Sequence, residues 1–175
     1  ISSNPFYIDI YEVTTNMYDD PLTNNLIEEN NLPQNSLSFE AAELFAESRK
    51  PENNSNTICE DLSQVNFRIP QDFEWQIAAS CNFNWDNKIC DDYLEYPSNI
   101  IGDNAIISCN YINYSGCCND GLDCIQSVTK YPESISPLGL HGTSGNIQEW
   151  VLNNNQLINA NKLLGGHFSS TYDEV

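Results

Sequence analysis

From Asn82 to Lys130 the chain shows neither helical nor strand periodicity, and Cys, Asn, Gly and Asp dominate. A compact domain keeps so long an irregular stretch only if something ties it down. Six of the seven cysteines lie between positions 81 and 124, spaced C-x8-C and then C-x7-C-C-x5-C. No C-x-x-C pair is present and neither histidine, His141 or His167, lies near the cluster, so the short paired spacing of a zinc site is missing. Cys59, Cys81, Cys90, Cys109, Cys117, Cys118 and Cys124 therefore read as disulfide candidates fastening loops, which implies an oxidising, extracytoplasmic setting. The adjacent Cys117 and Cys118 are expected to pair outward with different partners, and one cysteine is left over, free or intermolecular. The rest of the connectivity stays open. Calcium is the second candidate tie.

At 175 residues the chain fits one domain. Forty per cent hydrophobic content, with three Trp, nine Tyr and seven Phe, suffices for a core. Twenty-five acids against six bases give a formal charge of −19. That excludes nucleic acid, whose backbone is bound by Lys and Arg, and an anionic membrane surface. No stretch approaches the roughly 20 apolar residues of a membrane span. A soluble acidic surface or a calcium-rich environment fits the charge. The opening residues 1–5 are no signal peptide, so an export signal would have been removed or lie upstream.

Residues 6–13 alternate Phe6, Ile8 and Ile10 against Tyr7, Asp9 and Tyr11, as a half-buried strand does. Thr14, Thr15 and Asn16 offer caps for a short helix. Ser38 can cap a helix running to about Lys50, burying Ala41, Leu44, Phe45 and Ala42, with Pro51 as its stop. Pro70 starts another helix, with Asp72 and Glu74 at its positive end and Phe73, Ile77 and Ala78 facing inward. Trp150–Leu152 begins a strand, Asn153–Asn155 is a turn from which Gln156–Ile158 returns, and Leu163–Gly166 leads into another strand.

Five blocks carry a family resemblance. Leu138–Trp150 (LGLHGTSGNIQEW) resembles the "G-L-x-D-M-x-G-N-V-W-E-W" core of the formylglycine-generating-enzyme, or sulfatase-modifying-factor, family. Phe6–Tyr18 resembles its "f-x-I-D-x-Y-E-V-T-N-x-x-Y" opening, Leu37–Ala42 its "V-S-W-x-D-A", Phe67–Ala79 its "R-L-P-T-E-A-E-W-E-x-A-A" and Leu164–Phe168 its "R-G-G-S-x". The order is preserved across nearly the whole chain. The resemblance implies an α+β fold, a variant of the C-type lectin fold with short helices, a small twisted antiparallel sheet and much irregular loop. It also implies one domain over 1–175 whose C-terminal end, a few dozen residues in the family, is lacking.

The resemblance further implies two calcium sites, and calcium wants six to eight hard oxygens. The first falls on Asn110, Tyr111, Asp120 and Leu122, with Val128 fixing the register and Asp123 as an extra donor. The same residues can equally form plain turns. The second falls on Gly142, Gly145, Ile147 and Glu149; Gly142 stands where the family has Asp or Asn, so one side-chain oxygen is missing, and Glu149 can instead accept from amides of its own turn. The family's enzymes bind copper through two cysteines, whose positions are Ser170 and Val175 here; soft-ligand copper binding has no basis at that pair.

His141 reads as a packing residue, and His167, in place of the family's serine, as an ordinary strand histidine. Ser170 has no Asp–His arrangement, so no nucleophilic triad is readable. Trp75, Trp85 and Trp150 read as core, with sugar stacking an alternative for Trp85. No catalytic residue is assigned. The reading is a non-catalytic extracytoplasmic domain stabilised by calcium and disulfides, acting in surface binding or as a subunit of an extracellular assembly. Its partners would be other protein subunits or a surface ligand. The alternatives are a copper-dependent oxidoreductase converting peptidyl cysteine to formylglycine, and a receptor with a variable C-terminal pocket.

Overall fold

The computed structural model describes residues 6–21, 31–49, 66–84, 89–93, 108–117, 124–153 and 161–171. Three helices and four strands appear among them: α1 Thr15–Asp19, α2 Phe39–Ser48, α3 Asp72–Ser80, β1 Cys81–Asn84, β2 Ile89–Tyr93, β3 Glu149–Val151 and β4 Lys162–Leu164. The fold is α+β.

Each helix starts where a side chain satisfies a free N–H, as capping requires. Thr14 Oγ1 accepts from Met17 N at 3.2 Å, and Ser38 Oγ accepts from Ala41 N at 3.2 Å. At α3 the expected start moves by two residues. Pro70 lies outside the helix and accepts from Leu152 N at 2.8 Å, Gln71 is the N-cap, and Glu74 Oε2 accepts from Gln71 N at 2.8 Å. This is the backward-reaching half of a capping box. Glu74 is buried and ion-paired with Arg68 at 2.7 Å, so it does more than complement the helix dipole.

The inner faces are turned relative to the sequence expectation. In α2 Ala42 and Ala46 are buried, while Leu44 is 66% exposed. In α3 Trp75, Ala78 and Ala79 are buried, whereas Phe73 and Ile77 are half-buried. In α3 the buried face is the one on which Trp75 and Ala79 pack with Val151 of β3 and Leu164 of β4 as a core cluster.

Residues 6–13 do not form a strand. Tyr7 and Ile10 are exposed and Glu12 is buried, because no neighbouring segment among the described residues offers a ladder there; the pairing seen is the antiparallel bridge Thr14↔Pro33, flanked by Gln34 N→Val13 O at 2.7 Å and Thr15 N→Leu32 O at 3.0 Å. The sheet is two separate antiparallel pairs, β1–β2 and β3–β4. The first lies inside the region expected to be irregular. Its register slips between Asn82 and Phe83, and the disulfide Cys81–Cys90 fastens it. A second disulfide joins Cys109 to Cys117, and Cys124 is disulfide-bonded as well. The cysteines expected to tie this region do so. Cys59, Cys118, Trp85 and Gln156–Ile158 lie outside the described residues.

Candidate functional site

The glycine-rich turn after Leu138 is locked by one buried amide. Asn146, at φ 62°, uses all four of its side-chain hydrogen-bonding positions. Its Nδ2 donates to Glu12 Oε2 at 2.9 Å and to the Gln126 carbonyl at 3.1 Å. Its Oδ1 accepts from Gln126 N at 2.9 Å and from Asn113 Nδ2 at 3.1 Å. Asn113 Nδ2 also donates to the Cys124 carbonyl, and Asn146 N donates to Asn113 O at 2.9 Å. One side chain thus joins the N-terminal segment, the disulfide-tied loops and the glycine turn.

Of the second expected calcium set, the structure brings Gly142, Gly145, Ile147 and Glu149 into or beside this turn. Glu149 does not accept from its own turn; Trp75 Nε1 donates to its Oε2 at 3.1 Å. The residue as a whole is half-buried, yet the surrounding protein withdraws its carboxyl from water and, with some repulsion from Asp9, raises its pKa to about 7. Sequence reading missed Glu12, although it stands in the opening motif. It is 5% exposed, and burial, followed by repulsion from Glu149, pushes its carboxyl well above the usual range. Its Oε1 has no hydrogen-bond partner. Neither acid has a basic partner among the described residues. Two desolvated carboxyls without a basic partner among the described residues are the kind of donor a hard cation takes. Among the described residues no three His, Cys, Asp or Glu side chains are grouped to hold a metal, so backbone or hydroxyl oxygens would have to complete it.

Of the first expected set, Asn110 is exposed and Tyr111 half-buried in the turn beside the Cys109–Cys117 bridge, while Asp120, Leu122 and Asp123 lie outside the described residues. At the copper positions, Val175 is also outside them. Ser170 is buried; its Oγ accepts from His167 N at 3.1 Å and its carbonyl from Ser115 N at 3.0 Å. A hydroxyl enclosed in this way fastens a turn and is no thiolate, so the residue present does not fit copper. His167 Nδ1 accepts from Ser169 N at 3.0 Å and closes the same turn. His141 stacks on Tyr11 with centroids 4.6 Å apart, the packing role expected of it.

Beside the turn opens a cleft of about 990 Å³, at the upper end of small-molecule sites. Phe6, Tyr7, Phe67, Trp150, Leu163 and Phe168 supply apolar surface, and Glu12, Glu149 and His167 reach it. Its two guanidinium groups are occupied: Arg49 pairs with Asp9 and lies 4.4 Å over the Phe67 ring, and Arg68 pairs with Glu74. The cleft is apolar with an acidic floor.

The raised carboxyls predict a pH dependence. Glu149 holds its proton more tightly folded than unfolded, so its share of stability is complete below about pH 4.5 and lost as pH rises through about 7. The shift corresponds to up to about 3 kcal/mol. In calcium-free buffer, urea unfolding of the wild-type chain should weaken between pH 5 and 8, and Glu149→Gln should flatten that slope. An equally steep slope in the variant would remove Glu149 as its source.

A family model described as the sulfatase-modifying factor enzyme 1-like domain matches residues 1–174. Searches of curated proteins and of solved structures returned no significant match. The chain belongs to the sulfatase-modifying factor enzyme 1-like domain family.

Proposed function

We propose that this domain is a non-catalytic, extracytoplasmic binding module, fastened by disulfides and calcium, whose cleft takes a surface ligand or a neighbouring subunit. The observation that carries the reading is Ser170. Where the family's enzymes place the first copper thiolate, this chain has a buried hydroxyl holding the turn His167–Ser170. What remains at that face is a large, mostly apolar cleft, where the Ser169 hydroxyl lies 2.9 Å from His167 Nδ1 within the same turn. The disulfides agree with an oxidising compartment. Among the described residues no helix is long and apolar enough to cross a membrane.

The calcium part follows from the expected ligands and from the uncompensated Glu149. A ligand bound only by the folded chain stabilises it by about 2.7 kcal/mol at a hundredfold excess over Kd. Adding EGTA should therefore lower the melting temperature by several degrees, roughly 2–4 °C per kcal/mol for a chain this size. Asp120→Ala should weaken calcium binding more than Glu149→Ala. An EGTA-insensitive melt would remove the calcium. For catalysis, the full chain would be incubated with Cu(I), oxygen and a cysteine-containing peptide. No aldehyde product is expected, and its appearance would overturn the non-catalytic reading.

A further inference from the structure

The charged groups of the large cleft are engaged with the protein itself. Arg49 is paired with Asp9, and Arg68 with Glu74. Of the two further acids that reach it, Glu12 accepts from Asn146 Nδ2 at 2.9 Å and from the Ile147 backbone amide, and Glu149 accepts from Trp75 Nε1 at 3.1 Å. Both guanidinium groups are thus taken and the chain as a whole carries −19, so a negatively charged ligand meets repulsion here.

What the lining offers a ligand is neutral. The side-chain amides of Asn66 and Gln148 line the cleft and make no hydrogen bond among the described residues. Each presents two donors and an acceptor, the match for hydroxyls, which also do both. A purely apolar ligand would cover these amides and leave them unpaired, at a cost. Beside them stand the rings of Tyr7, Trp150 and Phe168. Tyr7 is 77% exposed. The indole of Trp150 is fixed beforehand, because its Nε1 donates to the Leu37 carbonyl at 3.0 Å and Phe39 packs edge-on against it at 5.7 Å. A ring held in this way gives contact area with little ordering cost. Its electron-rich face suits the polarised C–H groups on the flat side of a sugar ring. At about 990 Å³ the cleft has room for more than one such ring.

We propose that the cleft binds a neutral oligosaccharide, whose C–H faces lie on the rings of Tyr7, Trp150 and Phe168 and whose hydroxyls pair with the amides of Asn66 and Gln148. The assignment rests on the binding reading above and names the ligand class of the same cleft. Rings and amides make the contact, with no metal ion in it.

The test applies the full chain to an array of neutral, sialylated and sulfated glycans, and then measures affinity for the best-retained neutral glycan by calorimetry at low and high sodium chloride. Retention of neutral glycans is expected, with an affinity that salt leaves unchanged, because no charge pair forms. Gln148→Leu keeps the bulk and removes the amide; Tyr7→Leu keeps an apolar side chain and removes the flat ring. Each should weaken glycan binding about tenfold, the scale of one lost hydrogen bond or ring contact. Tyr7 is exposed, so its variant should melt as wild type does and decides the matter should Gln148→Leu not fold. Retention of acidic glycans alone, retention of none, or a neutral-glycan affinity that both variants leave unchanged would overturn the proposal. A peptide array run in parallel separates this failure from that of the reading beneath it. Peptides retained equally or better by Gln148→Leu, with no glycan bound, would overturn the sugar assignment and leave a binding module. Aldehyde formed from the cysteine peptide with Cu(I) and oxygen would overturn the non-catalytic reading itself.

Discussion

Gly145→Ala is expected to cost about 4 kcal/mol or more, and so to unfold much of the population near physiological temperature. Two independent effects act at this position. Its φ is +74°, a conformation in which any Cβ is strained by about 1–2 kcal/mol. The added Cβ would also fall on the Asn113 carbonyl oxygen, 3.1 Å from the carbonyl carbon and 3.3 Å from the nitrogen, and these are backbone atoms that cannot swing aside. Asn113 O is itself the acceptor for Asn146 N, so moving it breaks the turn's central bond. Gly139→Ala separates the two effects. Its φ is +92°, yet an added Cβ meets nothing within 4 Å, so only the strain of about 1–2 kcal/mol should appear. Thermal unfolding of both variants checks this. Equal losses would mean that the close approach to Asn113 is not what requires glycine at 145.

The contrast between these glycines marks how far the sequence could be read. Local chemistry was legible. Thr14 and Ser38 cap their helices, β3 and β4 form where Trp150 and Leu163 suggested, and the cysteines expected to bridge do so at Cys81, Cys90, Cys109, Cys117 and Cys124. What misled was the assumption that an amphipathic pattern fixes a burial face. Leu44 points out and Ala46 in, and residues 6–13 alternate in composition without a strand to pair with among the described residues, because tertiary contacts outweigh weak local preferences. The β1–β2 hairpin escaped for a related reason: its order depends on a bulge and a disulfide, neither of which produces periodicity.

The site shows the same division. Glu149 could be placed in the turn by its position beside Trp150, but its partner, Trp75, is 74 residues away in sequence and no spacing rule connects them. Glu12 sits 134 residues from Asn146 and looked like part of a strand. The one available signal was an acid, the second after Asp9, inside a largely apolar and aromatic opening segment. A charged residue there must find a buried partner or force the segment outward, and here Phe6, Tyr7, Asp9 and Ile10 are exposed while Glu12 is enclosed.

Asn146→Ala should be nearly as damaging as Gly145→Ala, at about 3–5 kcal/mol, through a different mechanism. Truncation removes four side-chain hydrogen bonds and leaves Glu12 Oε2, the Gln126 amide and the Gln126 carbonyl without their partner. Each buried group so stranded costs about 1–3 kcal/mol, and the half-buried Gln126 recovers part of that from water. Asn146 is also at φ 62°, where asparagine is tolerated better than alanine, adding a further fraction. Asn146→Gly relieves the backbone and still loses the amide, so it should recover only about 1 kcal/mol. The two positions are coupled through Glu12. Glu12→Ala removes the acceptor of the Asn146 amide, so a cycle of Glu12→Ala, Asn146→Ala and the double variant should show an interaction energy of about 1 kcal/mol or more. Urea unfolding at pH 7 measures all four corners. Additive losses would mean that the Asn146–Glu12 bond does not join the N-terminal segment to the glycine turn.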